Sequence, residues 1–296
     1  MKIDVVLRVT PTIGESPTWL AAEKAIFWID VRKPALYRLA LETGDQEAWE
    51  MPSDIGAFAL TEGATGAVVA LRQGIFNLDF SSRKLTQIAP PPFDPQRFRF
   101  NEGACDSQGR FWVGVMFDPL DKSDSDKEAK ASLHSFTLSG GVKKEPDAAE
   151  LHNGMAWSPD EQWLYLSHTQ GGKIFRYAYD VQSGRISDRQ IFATIPETQG
   201  VPDGAAVDVD GGYWCALHGA SRLRRYHPDG TIDQEVVLPV SQPTMCAFAG
   251  DHLEHLYITS ATDQLSPEQR EREPLAGAML RITPERRGII RHCMVR

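Results

Sequence analysis

Short runs of aromatic and β-branched residues recur along the chain, each closed by turn-forming residues. Six of them are AIFWIDV from Ala25, AVVALRQ from Ala67, RFWVGVM from Arg110, WLYLSHT from Trp163, GYWCALH from Gly212 and HLYITSA from His255. Measured between their second residues (Ile26, Val68, Phe111, Leu164, Tyr213, Leu256), they stand 42, 43, 53, 49 and 43 positions apart. Each is followed by a turn and a second apolar run, as in PALYRLALETG, GIFNLDFSSRK and KIFRYAYDVQSG. The second runs end in Gly, Asp, Asn or Ser clusters that mark tight hairpins. Apolar spacing of the i, i+3, i+4 kind occurs only in fragments, so a helical solenoid is excluded.

A period in the forties built from consecutive short strands predicts propeller blades of four strands. Six copies predict an all-β fold, a six-bladed β-propeller with four-stranded antiparallel blades, forming a single domain over residues 1–296. The Gly-His and Trp-Asp signature of WD40 blades is missing. The segment Lys2 to Thr10 precedes the first full repeat and is expected to pair with the last blade, closing the ring and removing exposed edges. Two stretches interrupt the rhythm. APPPFDPQR, from Ala89 to Arg97, reads as a stiff connector unable to continue a central strand. DPLDKSDSDKEAK, from Asp118 to Lys130, lengthens the third repeat as either a solvated surface loop or a lid.

A polar residue keeps one phase of this repeat. Glu15 in IGESPTW, Ser53-Asp54 in PSDIGAFAL, Asn101 in RFNEGACD, Asn153 in HNGMAWSPD and Asp203 in VPDGAAVD all fall just before an inner strand, and the sixth repeat offers Gln242-Pro243. Taken singly, Asn-Gly or Asp-Gly before a strand is turn chemistry. As a set, residues at one phase converge at one end of a propeller axis. Carboxylate and amide oxygens gathered there suit a hard divalent cation. Glu15 and Asp203 would neutralise it, with Asn153 and Asn101 completing the shell uncharged. Burying two carboxylates without a cation would be costly.

Composition narrows the partners. The 296 residues carry a net charge of −9 with 24% charged residues. An acidic chain lacking a Lys/Arg cluster gains nothing from counterion release, so a nucleic-acid partner is not expected. No apolar run reaches the roughly 18 residues of a membrane span. MKIDVVLRVT lacks the apolar core of a signal peptide. Cys105, Cys215, Cys246 and Cys293 never form a C-x-x-C pair, which removes zinc-finger spacing. The expectation is a soluble cytoplasmic protein without a membrane partner, a monomer or a weak homo-oligomer.

At GESPTW, RFNEGACDSQGRFWVGVM, HNGMAWSPD, VPDGAAVD and PLAGAMLRI the chain resembles the SMP-30/gluconolactonase/luciferin-regenerating-enzyme family. The resemblance runs through nearly the whole chain and implies a six-bladed propeller that hydrolyses a sugar lactone with one divalent metal. It implies Glu15, Asn153 and Asp203 as metal ligands, Asp203 also as catalytic acid/base, and Arg99 and Asn101 as substrate contacts. The metal expected is Ca²⁺ first, with Zn²⁺, Mn²⁺, Mg²⁺ or Fe²⁺ as alternatives. Near the position of the family's further acidic substrate contact, GVMFDPLD has Pro119, with Asp118 just before it, a departure that bears on sugar specificity and not on the metal chemistry.

Chemically, a lactone carbonyl attacked by water needs charge stabilisation on its oxygen and a base for the water proton. Arg99 reads either as a donor fork for substrate or as half of a structural ion pair. His152 reads as a donor behind Asn153 or as a packed side chain, and His218 as a channel-lining candidate. No G-x-S-x-G elbow supports a serine esterase. Two other functions fit the same sequence: a metal-dependent propeller esterase or phosphotriesterase, and a non-enzymatic calcium-binding propeller.

Overall fold

The computed structural model describes residues 1–8, 12–126 and 129–294. It contains six four-stranded antiparallel sheets. Blade 1 runs Gly14–Leu20, Ala25–Asp30, Ala35–Ala40 and Gln46–Glu50 from the axis outward, and blades 2 to 5 repeat that order. Their inner strands are Ile55–Leu60, Phe98–Cys105, His152–Trp157 and Val201–Val207. Blade 6 has Pro243–Ala249 innermost, then His255–Ser260 and Met279–Ile282, and takes its outer strand, Asp4–Leu7, from the N-terminus. Asp4 pairs with Arg281 in backbone register and through an ion pair at 2.9 Å. Of the Lys2–Thr10 segment expected to join this blade, Val9 and Thr10 lie outside the described residues.

The six aromatic-rich runs are the second strands, buried on both faces between neighbouring blades. Their side chains form six apolar clusters, each spanning two adjacent blades, and the last joins Trp19, Trp28 and Leu39 of blade 1 to Tyr257 and Met279 of blade 6. The ring is thus held by blade-on-blade burial. Trp112 and Trp214 each use the indole N–H as well, donating to Asp106 and Asp208 at 2.8 Å across the turn from inner to second strand. This satisfies a buried polar edge and ties the turn down.

Among the described residues, helix is limited to one short α-helix, Pro267–Arg272, with a capping box at Ser266 and Gln269, and two 3₁₀ turns. Among the described residues no helix is long and apolar enough to cross a membrane. The Asp118–Lys130 insertion separates Phe111–Phe117 from Ala131–Thr137 in blade 3. Its described part is fastened to the Ala89–Arg97 connector: the Leu120 amide donates to the Gln96 carbonyl, and Arg97 pairs with Asp124 and Asp126.

Candidate functional site

Four of the phase-locked polar residues prove to be part of the inner strands, not of turns ahead of them, whereas Ser53, Asp54 and Gln242 precede theirs as expected. Glu15, Asn101, Asn153 and Asp203 lie inside strands, and beside each the register with the second strand shifts: between Glu15 and Thr18, Phe100 and Gly103, Asn153 and Ala156, Pro202 and Ala205. A bulge turns the preceding side chain toward the axis. The glycines that follow reflect crowding at the hub. A Cβ on Gly204 would overlap the Met245 side chain, and one on Gly154 would overlap the Ser167 and Tyr213 hydroxyls. Gly154 also needs φ +61°.

One cavity of about 250 Å³ at this end of the axis is lined by Glu15, Arg99, Asn101, Asn153 and Asp203, with His218 and Gln242 also on its wall. Its rim comes from the loops after the second strands, including Arg32, Thr169 and Asp263. Asp54 is not in this wall; it is bound instead to Arg72 at 2.7 Å and Arg32 at 3.3 Å. No described residue of the Asp118–Lys130 loop lines the cavity either. A second cavity of about 240 Å³ holds small apolar side chains such as Ala104, Ala205 and Ala247 beside the C-terminal residues Ile289 to His292.

Hydrogen bonds fix how the polar groups point. The Asn153 amide nitrogen donates to Thr169 Oγ1 at 2.9 Å, and Thr169 donates on to the Pro202 carbonyl at 2.9 Å. That fixes Asn153 Oδ1 as the acceptor end of the amide, with two lone pairs to offer. Asn101 Nδ2 donates to this oxygen at 2.6 Å and to the His152 carbonyl at 3.0 Å, while Asn101 Oδ1 accepts from Arg99 Nη1 at 2.8 Å. Arg99 is anchored behind by Asp118 at 3.2 Å, and among the described residues its Nη2 has only the Met116 sulfur as partner. Asp118 also holds Arg32 at 2.9 Å and Arg72 at 2.7 Å. Burial would raise the Asp118 carboxyl, but the Arg32 hydrogen bond and the Arg99 charge hold it well below the usual carboxylate range.

Electrostatics at the hub run the other way. Burial, then the neighbouring Glu102 charge, pushes Glu15 up to about 8. Asp203 is raised well above its ordinary value by burial, with the Glu15 and Glu102 charges adding to it. Glu102, which sequence reading missed, is pushed up to about 7 by burial although it accepts the Gly154 and Met155 amides at 2.7 Å each. Arg291 was missed as well. It donates to the Gly103 carbonyl at 2.9 Å, and its charge lowers both Glu102 and Glu15. Glu102 sat in plain view beside Asn101, whereas nothing in RRGIIRHCMVR signals that Arg291 returns to the axis.

Comparison with known proteins gives the family of the chain. The family model described as SMP-30/Gluconolactonase/LRE-like region matches residues 13–262. The chain belongs to that family. Among curated relatives, 6-deoxy-6-sulfogluconolactonase of Pseudomonas putida is 35% identical over 93% of this chain and 92% of its own length. Regucalcin of Xenopus laevis is 29% identical over 96% of this chain and 94% of its own. Among solved structures, a calcium-binding regucalcin from Agrobacterium tumefaciens superposes with a TM-score of 0.90 at 25% identity, covering 98% of this chain and 96% of that one. Within the SMP-30/gluconolactonase/LRE-like family, the bulged inner strands are the frame on which this chain carries its own acids and amides.

Proposed function

We propose that the chain hydrolyses a sugar lactone, an aldonolactone, to the open-chain aldonic acid, using one divalent cation held by Glu15, Asn153 and Asp203. The observation that carries this reading is the charge balance of the hub. Glu15, Glu102 and Asp203 are three buried carboxylates. Arg291 lowers Glu102 and Glu15, and Arg99, which it shares with Asp118, lowers Glu15 and Asp203, so the buried carboxylates outnumber the guanidiniums set against them among the described residues. A dication closes that imbalance, and an all-oxygen donor set suits Ca²⁺ first. The Pseudomonas putida relative is a 6-deoxy-6-sulfogluconolactonase and the Agrobacterium tumefaciens regucalcin is a calcium-binding protein, and both support the same reading.

A cation bound there supplies Lewis-acid polarisation of the lactone carbonyl and stabilises charge on its oxygen. The remaining work falls to the chain. Asp203 takes a proton from the attacking water and returns it to the ring oxygen as the carbonyl–oxygen bond breaks. Asn101, fixed by Arg99 and by the His152 carbonyl, holds Asn153 Oδ1 in place. Arg99 Nη2 is the donor left over for a substrate hydroxyl or an anionic substituent.

The deciding experiment is a pH-indicator assay on chelated protein with Ca²⁺, Mn²⁺ or Zn²⁺ restored. The panel is glucono-, galactono-, xylono- and arabinono-lactones and a 6-sulfonated gluconolactone. Asp203→Asn is expected to lose at least about 10²-fold in kcat with the fold intact. Near wild-type turnover by that folded variant removes Asp203 from the mechanism. A large fall in Tm on chelation with no lactone turned over favours the purely ion-binding propeller.

A further inference from the structure

A second cluster of metal-binding side chains lies at the junction of blades 3 and 4, outside the cavity wall. His152 and His168 face each other as cross-strand partners on the first two strands of blade 4. Asp147 reaches them from Gly141–Ala149, the outer strand of blade 3. Asp147 Oδ2 stands 2.7 Å from His168 Nε2 and 3.3 Å from His152 Nε2, and one ligand atom from each residue lies within 4.8 Å of the others. Arg189 approaches only the other carboxylate oxygen, Oδ1, at 3.4 Å.

His152 supplies the independent pointer to a ligand. Its side chain is fully buried, and its Nε2 has no hydrogen-bond partner among the described residues. Its Nδ1 lies 3.2 Å from the Val115 carbonyl oxygen and 3.3 Å from the Val115 amide. When Nδ1 carries the proton and donates to that carbonyl, Nε2 is a lone pair aimed into the cluster, the arrangement that orients metal-bound histidines; a bound ion selects this tautomer over the one in which Nδ1 accepts the Val115 amide. A tetrahedral site with bonds of about 2.0–2.1 Å has ligand–ligand edges of roughly 3.3–3.4 Å. The His152–Asp147 edge matches as it stands, and His168 has to withdraw by about 0.6 Å to match. His168 is the member with room to do so: its side chain is 16% exposed and lines a surface cleft of about 350 Å³ with Lys130, Glu150 and Gln170. The cleft reaches the cluster through His168 and gives an ion its entry path.

We propose that Asp147, His152 and His168 form a second metal site that takes a borderline transition-metal dication such as Zn²⁺. Two imidazoles with one carboxylate favour Zn²⁺, Co²⁺ or Ni²⁺ over Ca²⁺ and Mg²⁺, opposite to the oxygen-only hub. Because His152 precedes Asn153, an ion here also pins the backbone that carries Asn153. The inference is independent of lactone turnover.

The test uses full-length, untagged, metal-stripped protein with Ca²⁺ in excess, titrated with Co²⁺. The expected result is a visible ligand-field absorption typical of four-coordinate cobalt, saturating at one equivalent and bleached by Zn²⁺. It is retained in Asp203→Asn and lost in His168→Gln and Asp147→Asn. His168→Gln keeps a side chain that can bond Asp147 but has no imidazole, and circular dichroism checks its fold. A Zn²⁺-dependent rise in Tm under the same Ca²⁺ excess reads the wild type without any variant. Absence of both signals overturns the proposal, and so does a cobalt band that survives in folded His168→Gln or vanishes in Asp203→Asn.

Discussion

Asn153 shows how little of a functional side chain's meaning is local. Thr169 of one loop fixes its nitrogen and Asn101 of the next blade meets its oxygen. Glu15 illustrates the energetic side. With its carboxyl pushed from 4.5 up to about 8, the cation-free folded chain holds a proton that the unfolded chain releases. Folded stability from this group is therefore complete below about pH 4.5 and falls as pH rises toward 8. His134 acts in the opposite sense, since burial lowers it from 6.5 to about 4 and its contribution improves as pH rises to 6.5. The window in which only the hub falls is pH 6.5 to 8. In chelator, Tm should drop across that window, and saturating Ca²⁺ should remove most of the drop. A chelated protein with a flat Tm profile there would contradict the burial of uncompensated carboxylates.

At the scale of the strand and turn, the bulged inner strand and the Asp-to-indole corner recur together. Asp208 is fully buried and receives the Trp214 indole at 2.8 Å, Arg225 at 2.7 and 3.1 Å, and the Gly212 amide at 2.9 Å. Asp208→Ala leaves the Arg225 guanidinium, itself 1% exposed, with Asp233 at 2.6 Å as its remaining carboxylate and the Trp214 indole without its acceptor, for which a loss of about 3 kcal/mol is expected. Denaturant unfolding measures it, and cation affinity at the hub should change little because the corner is not part of the cavity wall. Sequence periodicity revealed these elements because each second strand is buried on both faces and so reads as an unbroken apolar run. It misplaced the hub residues by putting them in turns, since a bulge and a turn call for the same Asn-Gly and Asp-Gly pairs.

For the whole molecule, the two chain ends perform separate tasks. Asp4–Leu7 completes blade 6. The C-terminal segment bridges to Thr61, Cys105 and Asp208 on three blades and inserts Arg291 beneath the carboxylates. Arg291→Met removes a positive charge that competes with the cation for the same acids. Cation binding measured by calorimetry should tighten several-fold while the cation-free protein loses stability. Weaker binding in a folded variant would show that Arg291 organises the ligands instead of opposing the ion.

The six-bladed architecture, the strand runs and the identity of Glu15, Asn101, Asn153 and Asp203 followed from the sequence, because a repeat writes its burial pattern six times and acids at one phase stand out against it. Glu102, Arg291, the Asp118–arginine cluster and the Asp147–His152–His168 junction did not. Each depends on a neighbour contributed by another blade or by the chain end, and only closure of the ring brings those charges within reach of one another.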